Sequence, residues 1–159
     1  MKMTEAGITN LLDGRLLDPE DEKTLAAELK IYQAIQSRTL ADQGAWAAEQ
    51  VCERLGLEAM FSCFGEWNTA SVAPYHNNHH TMRMILDCYE AAVVEKLSIE
   101  DTQVLVLAAM FHDFNHTAGA EDDAVNIEKA IRGMNQLAAL AYCPKSMCDK
   151  AASVIQITK

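Results

Sequence analysis

Apolar side chains recur along most of this chain at the three- and four-residue spacing of an amphipathic helix. The spacing predicts a first helix over about 19–37, and the Asp18-Pro19 pair supplies a capping residue and a proline at the first helical position. A second segment of this kind covers 39–55 and ends at Gly56, a residue type that commonly stops helices.

The remaining segments continue this pattern, with one irregular stretch. Residues 57–74 are less periodic, and Pro74 disfavours a helix directly before it, so we predict a loop over 66–74. Further helices are predicted over about 75–96, 99–113, 122–141 and from Pro144 onward. Because runs of β-branched residues are rare, the expected fold is an all-α bundle. Helix 99–113 carries the longest apolar run and is expected at its centre.

The length of 159 residues suits one domain, and a hydrophobic fraction of 50% is enough to bury a core. We expect a single domain over 1–159, with N-terminal helices in 1–70 and a motif-bearing core in 75–159. The last helix is still apolar where the chain stops, and no cap follows it. The core is therefore expected to be incomplete, truncated at its C-terminus.

Charge and composition exclude several classes of partner. Lys and Arg total 13 against 23 Asp and Glu, a net charge of −10, which disfavours binding to nucleic acid. No apolar run approaches the length of a bilayer span, and the N-terminus has no apolar signal region. Five cysteines without a CxxC spacing indicate reduced thiols and a cytoplasmic protein. Whether the chain forms a homo-oligomer stays open.

All five histidines lie in two short clusters, which chance would rarely produce. The sequence YHNNHH contains His76, His79 and His80, and FHDFNH contains His112 and His116. Two pairs are four residues apart, a spacing that places both members on one face of a helix. The second cluster follows an apolar run, so its imidazoles and the adjacent carboxylate enter the protein interior and need partners.

A divalent cation would satisfy several of these groups together, because imidazole nitrogen and carboxylate oxygen suit zinc, manganese, iron and nickel. A lone histidine on an apolar face is more often a hydrogen-bonded core residue, and Asp113 alone could be a cap or an ion-pair partner. The clustering favours the metal. His79 is the exception, since it can simply face solvent.

These residues resemble the motifs of a known family. Residues 75–80 are similar to the YHNxxH signature of class I cyclic-nucleotide phosphodiesterases, and 112–119 are similar to their HDxDHxG segment. Both belong to the HD superfamily of metal-dependent phosphohydrolases. The likeness is close over 74–131 and looser up to the C-terminal helix, whereas 1–70 resemble nothing we can name. It implies an HD-type helical bundle and a hydrolase.

The resemblance also implies a role for each matched residue. His80, His112 and Asp113 match metal ligands, and Asp113 would bridge two divalent ions whose identity among Zn, Mn, Mg, Fe and Ni is not fixed. His76 matches the histidine that protonates the leaving oxygen, and His116 matches a histidine beside the bridging solvent. Both are therefore expected to be catalytic. Tyr75 matches a residue that lines the substrate site.

Two departures from the family pattern matter. Asn115 replaces the second Asp of HDxDH, a neutral group where the family has a charge. The family's last metal ligand is an Asp on a later helix, and neither Asp149 nor any other Asp after Asp123 occupies its position. Three of the four expected ligands are thus present in this sequence.

The expected function is hydrolysis of a nucleotide or another small phosphate mono- or diester by a metal-activated water. The expected partner is this substrate, with no nucleic acid and no membrane. Two alternatives remain. HD-type di-iron oxygenases use a similar ligand set for O₂ chemistry, and a module with a vestigial site would bind a metal or nucleotide without catalysis.

Overall fold

The computed structural model describes residues 30, 31, 33, 42–69 and 75–157, and all regular structure within them is helical. The predicted all-α fold is therefore confirmed for this part of the chain. Its six helices are α1 (Asp42–Arg54), α2 (Glu58–Trp67), α3 (Asn78–Val94), α4 (Ile99–Phe111), α5 (Asp123–Leu140) and α6 (Lys145–Gln156). The helix predicted over 19–37 lies outside the described residues, apart from three that are helical, Lys30, Ile31 and Gln33.

Helix α4 lies at the centre of the bundle, as its apolar sequence predicts. Val106, Leu107, Met110 and Phe111 are each fully buried. Helices α3 and α6 both pack against α4, α1 packs on α3, and α5 packs on α6, whereas α2 contacts α1, α4 and α5. A helix that is apolar on all sides can only be stable when neighbours cover every side. The end of α4 therefore projects His112 from the most enclosed element of the described fold.

Local signals explain where α1 ends and α4 begins. Gly56 follows α1 with a φ of 66°, a left-handed conformation that glycine adopts without strain. Ser98 caps α4, because its side-chain oxygen accepts a hydrogen bond from the backbone N–H of Asp101 at 3.0 Å. The Ser98 hydroxyl also donates to the Asp101 carboxylate at 2.6 Å. The two contacts form a capping-box arrangement, with Asp in the third helical position.

Helix α3 begins later than the sequence predicted. Asn77 has extended backbone angles, and its side-chain oxygen accepts a hydrogen bond from the backbone N–H of His80 at 3.1 Å. An asparagine at this position caps a new helix more favourably than it continues one. Tyr75 and His76 consequently precede the helix. The prediction that His76 and His80 share a helical face is wrong.

The second histidine pair also lacks a shared helical face. Helix α4 ends at Phe111, and His112 is its capping residue. The chain then turns, and Asn115 has a φ of 57°. Asparagine tolerates this left-handed conformation better than most residues. His112 and His116 are therefore placed by a turn rather than by one turn of helix.

Helix α2 occupies part of the stretch that the sequence predicted to be irregular. Its residues Met60 and Phe64 are buried four positions apart, on the side that faces the core. Leu57, directly before the helix, is buried as well. Apolar residues at helical spacing are therefore present in this stretch, but they extend over only a few positions. The predicted loop over 66–74 begins only after Trp67, and residues 70–74 lie outside the described part of the chain.

No helix among the described residues is long and apolar enough to span a bilayer. The five cysteines all lie in the described ranges, and all are reduced. Cys52 and Cys148 are buried, and burial raises the pKa of Cys148 to about 12 and that of Cys88 to about 11. These thiols stay protonated at neutral pH and behave as apolar core groups.

Three phenylalanines join α2 and α4 to the turn that follows α4. The ring of Phe64 lies 5.7 Å from Phe111 and 5.9 Å from Phe114, and the latter two are 5.2 Å apart. Phe114 also packs directly on Gly133, where a Cβ atom would lie 2.5 Å from the Phe114 ring. Gly133 lies inside α5, which runs through it unbroken. Its missing side chain admits the ring.

Substitution of this glycine should be destabilising even though alanine favours helices. In Gly133→Ala the new methyl group must displace a ring that is only 4% exposed, and such overpacking typically costs about 1–3 kcal/mol. The gain in helix propensity is about 1 kcal/mol. We expect a net loss in the free energy of unfolding, measured by urea denaturation.

The matched control is Gly65→Ala in α2, where a Cβ would meet nothing within 4 Å. That variant should be stabilised by about 0.5–1 kcal/mol. Equal behaviour of the two variants would show that Phe114 does not depend on Gly133 for its position.

Candidate metal centre

Three segments meet at the end of the central helix. The residues before α3 supply Tyr75 and His76, and the first turn of α3 supplies His80. The end of α4 and its following turn supply His112, Asp113 and His116. The Nε2 atoms of His80 and His112 lie 3.1 Å apart although 32 residues separate them in sequence. The expected convergence of His80, His112 and Asp113 is present in the structure.

The three atoms that converge form a small triangle. Asp113 Oδ2 lies 3.0 Å from His112 Nε2 and 3.4 Å from His80 Nε2. Ligand atoms that each lie about 2.1 Å from one cation are about 3.0 Å apart when their bonds to it meet at right angles. They are about 3.4 Å apart when the coordination is tetrahedral. The triangle therefore has the dimensions of one face of a transition-metal coordination shell.

A hydrogen bond at Nδ1 fixes the orientation of the His112 ring. Its Nδ1–H donates a hydrogen bond to the Ala109 carbonyl oxygen at 2.8 Å, within the last turn of α4. A neutral imidazole that donates through Nδ1 has its lone pair on Nε2. This arrangement, in which one ring nitrogen donates to the protein and the other faces the site, is typical of metal-binding histidines.

The electrostatics of the triangle favour a positive charge. Its side chains are 10–18% exposed, so solvent screens the repulsion between their lone pairs only weakly. Burial lowers the pKa of His80, and the neighbouring His112 lowers it further. Burial also opposes the charged forms of His112 and Asp113, but their mutual hydrogen bond and charge attraction, together with the hydrogen bonds of His112 to Ala109 and of Asp113 to His76, outweigh it. The pKa of His112 is raised, and that of Asp113 falls far below its ordinary value. One positive charge is thus preferred at this place.

His76 contacts the same carboxylate oxygen in a different way. Its Nδ1 lies 2.7 Å from Asp113 Oδ2, the length of a charge-assisted hydrogen bond and shorter than the separation of two ligands on one ion. With Nδ1–H donating to Asp113, the Nε2 atom of His76 is available to other groups. The side chain of His76 is 33% exposed, more than that of any of the three triangle residues.

His116 stacks on His76, with ring centroids 3.9 Å apart and planes inclined by 17°. Its Nδ1 accepts a hydrogen bond from the backbone N–H of Ala118 at 3.0 Å. A neutral imidazole that accepts through Nδ1 carries its proton on Nε2. Partial burial and the charge of His76 both lower the pKa of His116, which agrees with a neutral ring. His116 therefore presents an N–H donor.

A second group of donors, His76, Asp113 and His116, also lies close enough together to hold an ion. It is less prepared than the first. His76 already donates to Asp113 at hydrogen-bond distance, and Nδ1 of His116 is occupied by Ala118. An ion bound there would have to displace one of these hydrogen bonds or change the tautomer of His116. In the triangle of His80, His112 and Asp113, a cation keeps the hydrogen bond from His112 to Ala109 and replaces the proton between His112 and Asp113.

Tyr75 and His79 lie at the edge of the site. The Tyr75 side chain is 65% exposed, and its ring lies 4.6 Å from that of His80 and 5.1 Å from that of His76. It therefore covers one side of the two imidazoles while it remains open to solvent. His79 is exposed, as expected from the sequence.

Sequence reasoning missed several polar residues that hold these segments together. Asn68, Thr69 and Asn78 form hydrogen bonds that reach Asn115 or each other across the site. Asn126, on α5, accepts hydrogen bonds from both the N–H and the hydroxyl of Thr117. The segment of Asn68 and Thr69 carries no motif, and nothing in its composition indicates contact with a residue more than 40 positions away.

Comparisons of the chain with protein-family models, with curated proteins and with solved structures found no match. An assignment of function consequently rests on the geometry of the site and on the residues of the two histidine motifs.

The pH dependence of stability should reveal the exchange of a proton for a cation. In the metal-free protein, the raised pKa of His112 contributes stability that is fully present below its ordinary value of 6.5 and is lost as pH rises through the folded-state pKa. A cation needs unprotonated imidazoles, so its contribution grows with pH. We expect the Tm increase produced by Zn²⁺ to grow between about pH 5.5 and pH 7.5.

Thermal unfolding with and without Zn²⁺ at each pH measures this increase. The His112→Ala variant is the control, and it should show no comparable increase at either pH. An increase in wild-type protein that is constant with pH would contradict competition between proton and metal.

Proposed function

We propose that this protein is a metal-dependent phosphoric ester hydrolase whose divalent cation is held by His80, His112 and Asp113. The observation that supports the proposal most strongly is the triangle of three acceptor atoms, 3.0–3.4 Å apart, with two further imidazoles beside it. The resemblance of both histidine motifs to HD-type phosphohydrolases supports the same assignment. The substrate is a nucleotide or another small phosphate mono- or diester.

A cation bound there would lower the pKa of a water molecule and would place positive charge beside the phosphoryl oxygens. The protein's own residues supply the rest. His112 is held by the Ala109 carbonyl, so its lone pair faces the site without reorganisation. Asp113 is kept ionised by its neighbours over the whole neutral range. These fixed groups reduce the cost of ordering the site when substrate binds.

His76 is placed to move a proton. Its Nδ1–H bond to Asp113 fixes the plane of the ring and leaves Nε2 available to pass a proton to a leaving oxygen. His116, stacked on it, is neutral and presents Nε2–H, which can donate a hydrogen bond to a phosphoryl oxygen. Two adjacent imidazoles thus divide the tasks of proton donor and hydrogen-bond donor.

The net charge of −10 repels a phosphate ester at long range. A divalent cation reverses the local field, and without it the carboxylate of Asp113 would face the substrate's charge directly. We therefore expect hydrolysis to depend completely on added metal.

The proposal is tested by metal binding and hydrolysis measured together. The protein, freed of metal by chelation, is titrated with Zn²⁺, Mn²⁺, Mg²⁺, Fe²⁺ and Ni²⁺ to determine affinity and stoichiometry, and each form is assayed on p-nitrophenyl phosphate, bis-p-nitrophenyl phosphate and cyclic nucleotides. His80→Ala should abolish stoichiometric binding and hydrolysis. The matched control is His79→Ala, because His79 is the adjacent residue but is exposed, and it should leave both unchanged.

Other outcomes separate the alternatives. Binding without hydrolysis of any phosphate ester would indicate a binding module with a vestigial site. Activity confined to the iron form, with consumption of O₂, would indicate an oxygenase. Equal metal binding by His79→Ala and His80→Ala would show that the triangle is not the site.

Replacement of His76 should affect catalysis more than metal binding. In His76→Ala the hydrogen bond to Asp113 is lost, but none of the three proposed ligands is removed. Loss of a general acid typically lowers turnover by about 10²- to 10⁴-fold. We expect a loss of this size on alkyl phosphate esters and a smaller loss on p-nitrophenyl esters, whose leaving group needs little protonation.

Metal content is measured in parallel by atomic absorption. Equal losses on both classes of substrate, together with loss of metal, would show instead that His76 is a ligand and that the proton comes from elsewhere.

A further inference from the structure

Asn115 lies two residues after Asp113, in the turn between the proposed ligand and His116, and its side chain joins this turn to a distant segment. The side-chain oxygen accepts two hydrogen bonds from Thr69, one from the backbone N–H at 2.6 Å and one from the hydroxyl at 2.8 Å. These contacts connect positions 46 residues apart. One amide oxygen therefore ties the end of α2 to the turn that carries the site.

The same connection continues to α3. The backbone N–H of Asn115 donates to the Asn68 side-chain oxygen at 3.1 Å, and the Asn68 side-chain nitrogen donates to the Asn78 side-chain oxygen at 2.9 Å. Asn78 lies two residues before His80, in the first turn of α3. The set formed by Asn68, Thr69, Asn78 and Asn115, here termed the amide clamp, thus links the segment of His80 to the segment of Asp113.

We infer that the amide clamp is a positioning device that sets the distance between the His80 and Asp113 ligand atoms. The inference rests on the proposed metal centre. Helix packing brings α3 and α4 together, but the ligands lie at the very ends of these helices, where each helix gives way to a turn. Within the turn, the His116 N–H donates to the Asp113 carbonyl oxygen at 3.1 Å, so a bond at Asn115 holds both neighbours.

The chemistry of position 115 can be separated into backbone and side-chain parts. Its φ of 57° is accessible to glycine, asparagine and aspartate but is strained in alanine. Glycine at this position keeps the turn and removes the side-chain oxygen. Aspartate keeps an oxygen that can accept both bonds from Thr69, and it adds a negative charge near the cation. Two substitutions thus distinguish loss of the clamp from backbone strain.

Coupling between the clamp and the metal must act in both directions. If the clamp strengthens metal binding by a given factor, bound metal stabilises the clamped state by the same factor. The backbone N–H groups of Thr69 and Asn115 donate within the clamp, so their hydrogen exchange reports on its opening. Metal at the site should therefore slow exchange at both amides.

The experiment compares Zn²⁺ and Mn²⁺ affinities of the full 159-residue chain and its variants. Asn115→Gly should bind each ion about 10- to 100-fold more weakly, the usual effect of removing a group that orients metal ligands. Asn115→Asp should restore affinity to at least the wild-type value. In wild-type protein, saturating metal should slow exchange of the Thr69 and Asn115 amides.

The control for general destabilisation is Asn135→Gly, which places glycine at an exposed position inside α5 and away from the clamp. It should lower Tm and leave metal affinity unchanged. Wild-type affinity in Asn115→Gly, equal weakening in Asn135→Gly, or failure of Asn115→Asp to restore binding would overturn the clamp while the metal centre stands. Absence of metal binding by wild-type protein would overturn both.

Discussion

An ionised carboxylate lies at the end of the most buried helix of the described fold, and the surrounding residues are arranged to stabilise its charge. Asp113 follows His112, the capping residue of α4, and its Oδ2 atom lies within 3.4 Å of three imidazole nitrogens. A carboxylate that is only 10% exposed is stable only when cations or hydrogen-bond donors surround it. Without a metal, His112 and His76 serve as these donors. With one, the cation takes the place of a proton, and the same geometry becomes a ligand set.

The two neighbouring pairs of histidines differ in what they can do. His80 and His112 direct ring nitrogens at Asp113 from α3 and α4, at distances that suit ligands. His76 and His116 stack on each other and are already engaged in hydrogen bonds. Because each ring has only two nitrogens, a bond made by one of them determines what the other can offer. This division supports one prepared ion site beside a pair of proton and hydrogen-bond donors.

The packing of Phe114 in the core supports this site. Phe114 follows Asp113 and fills the space between α2, α4 and Gly133 of α5. Three consecutive residues of one turn therefore serve different purposes, since Asp113 faces the histidines, Phe114 enters the core, and Asn115 bonds to Thr69. A turn constrained on three sides can hold ligand atoms to within a few tenths of an ångström, which metal binding and catalysis both require.

The sequence by itself determined the helical class, the central place of helix 99–113 and the two histidine clusters as candidate metal ligands. Helical spacing and buried apolar runs are local patterns, and residue type alone limits what a side chain can bind. The prediction from sequence was wrong where two local preferences compete, as at Asn77. This residue caps a helix that begins after it, so His76 lies outside the helix. Only the tertiary structure decided that Asp113 is shared by three histidines and that Asn115 meets Thr69. The contacts of Asp113 with His76 and of Asn115 with Thr69 join residues 37 and 46 positions apart, and only the packing of whole helices brings them together.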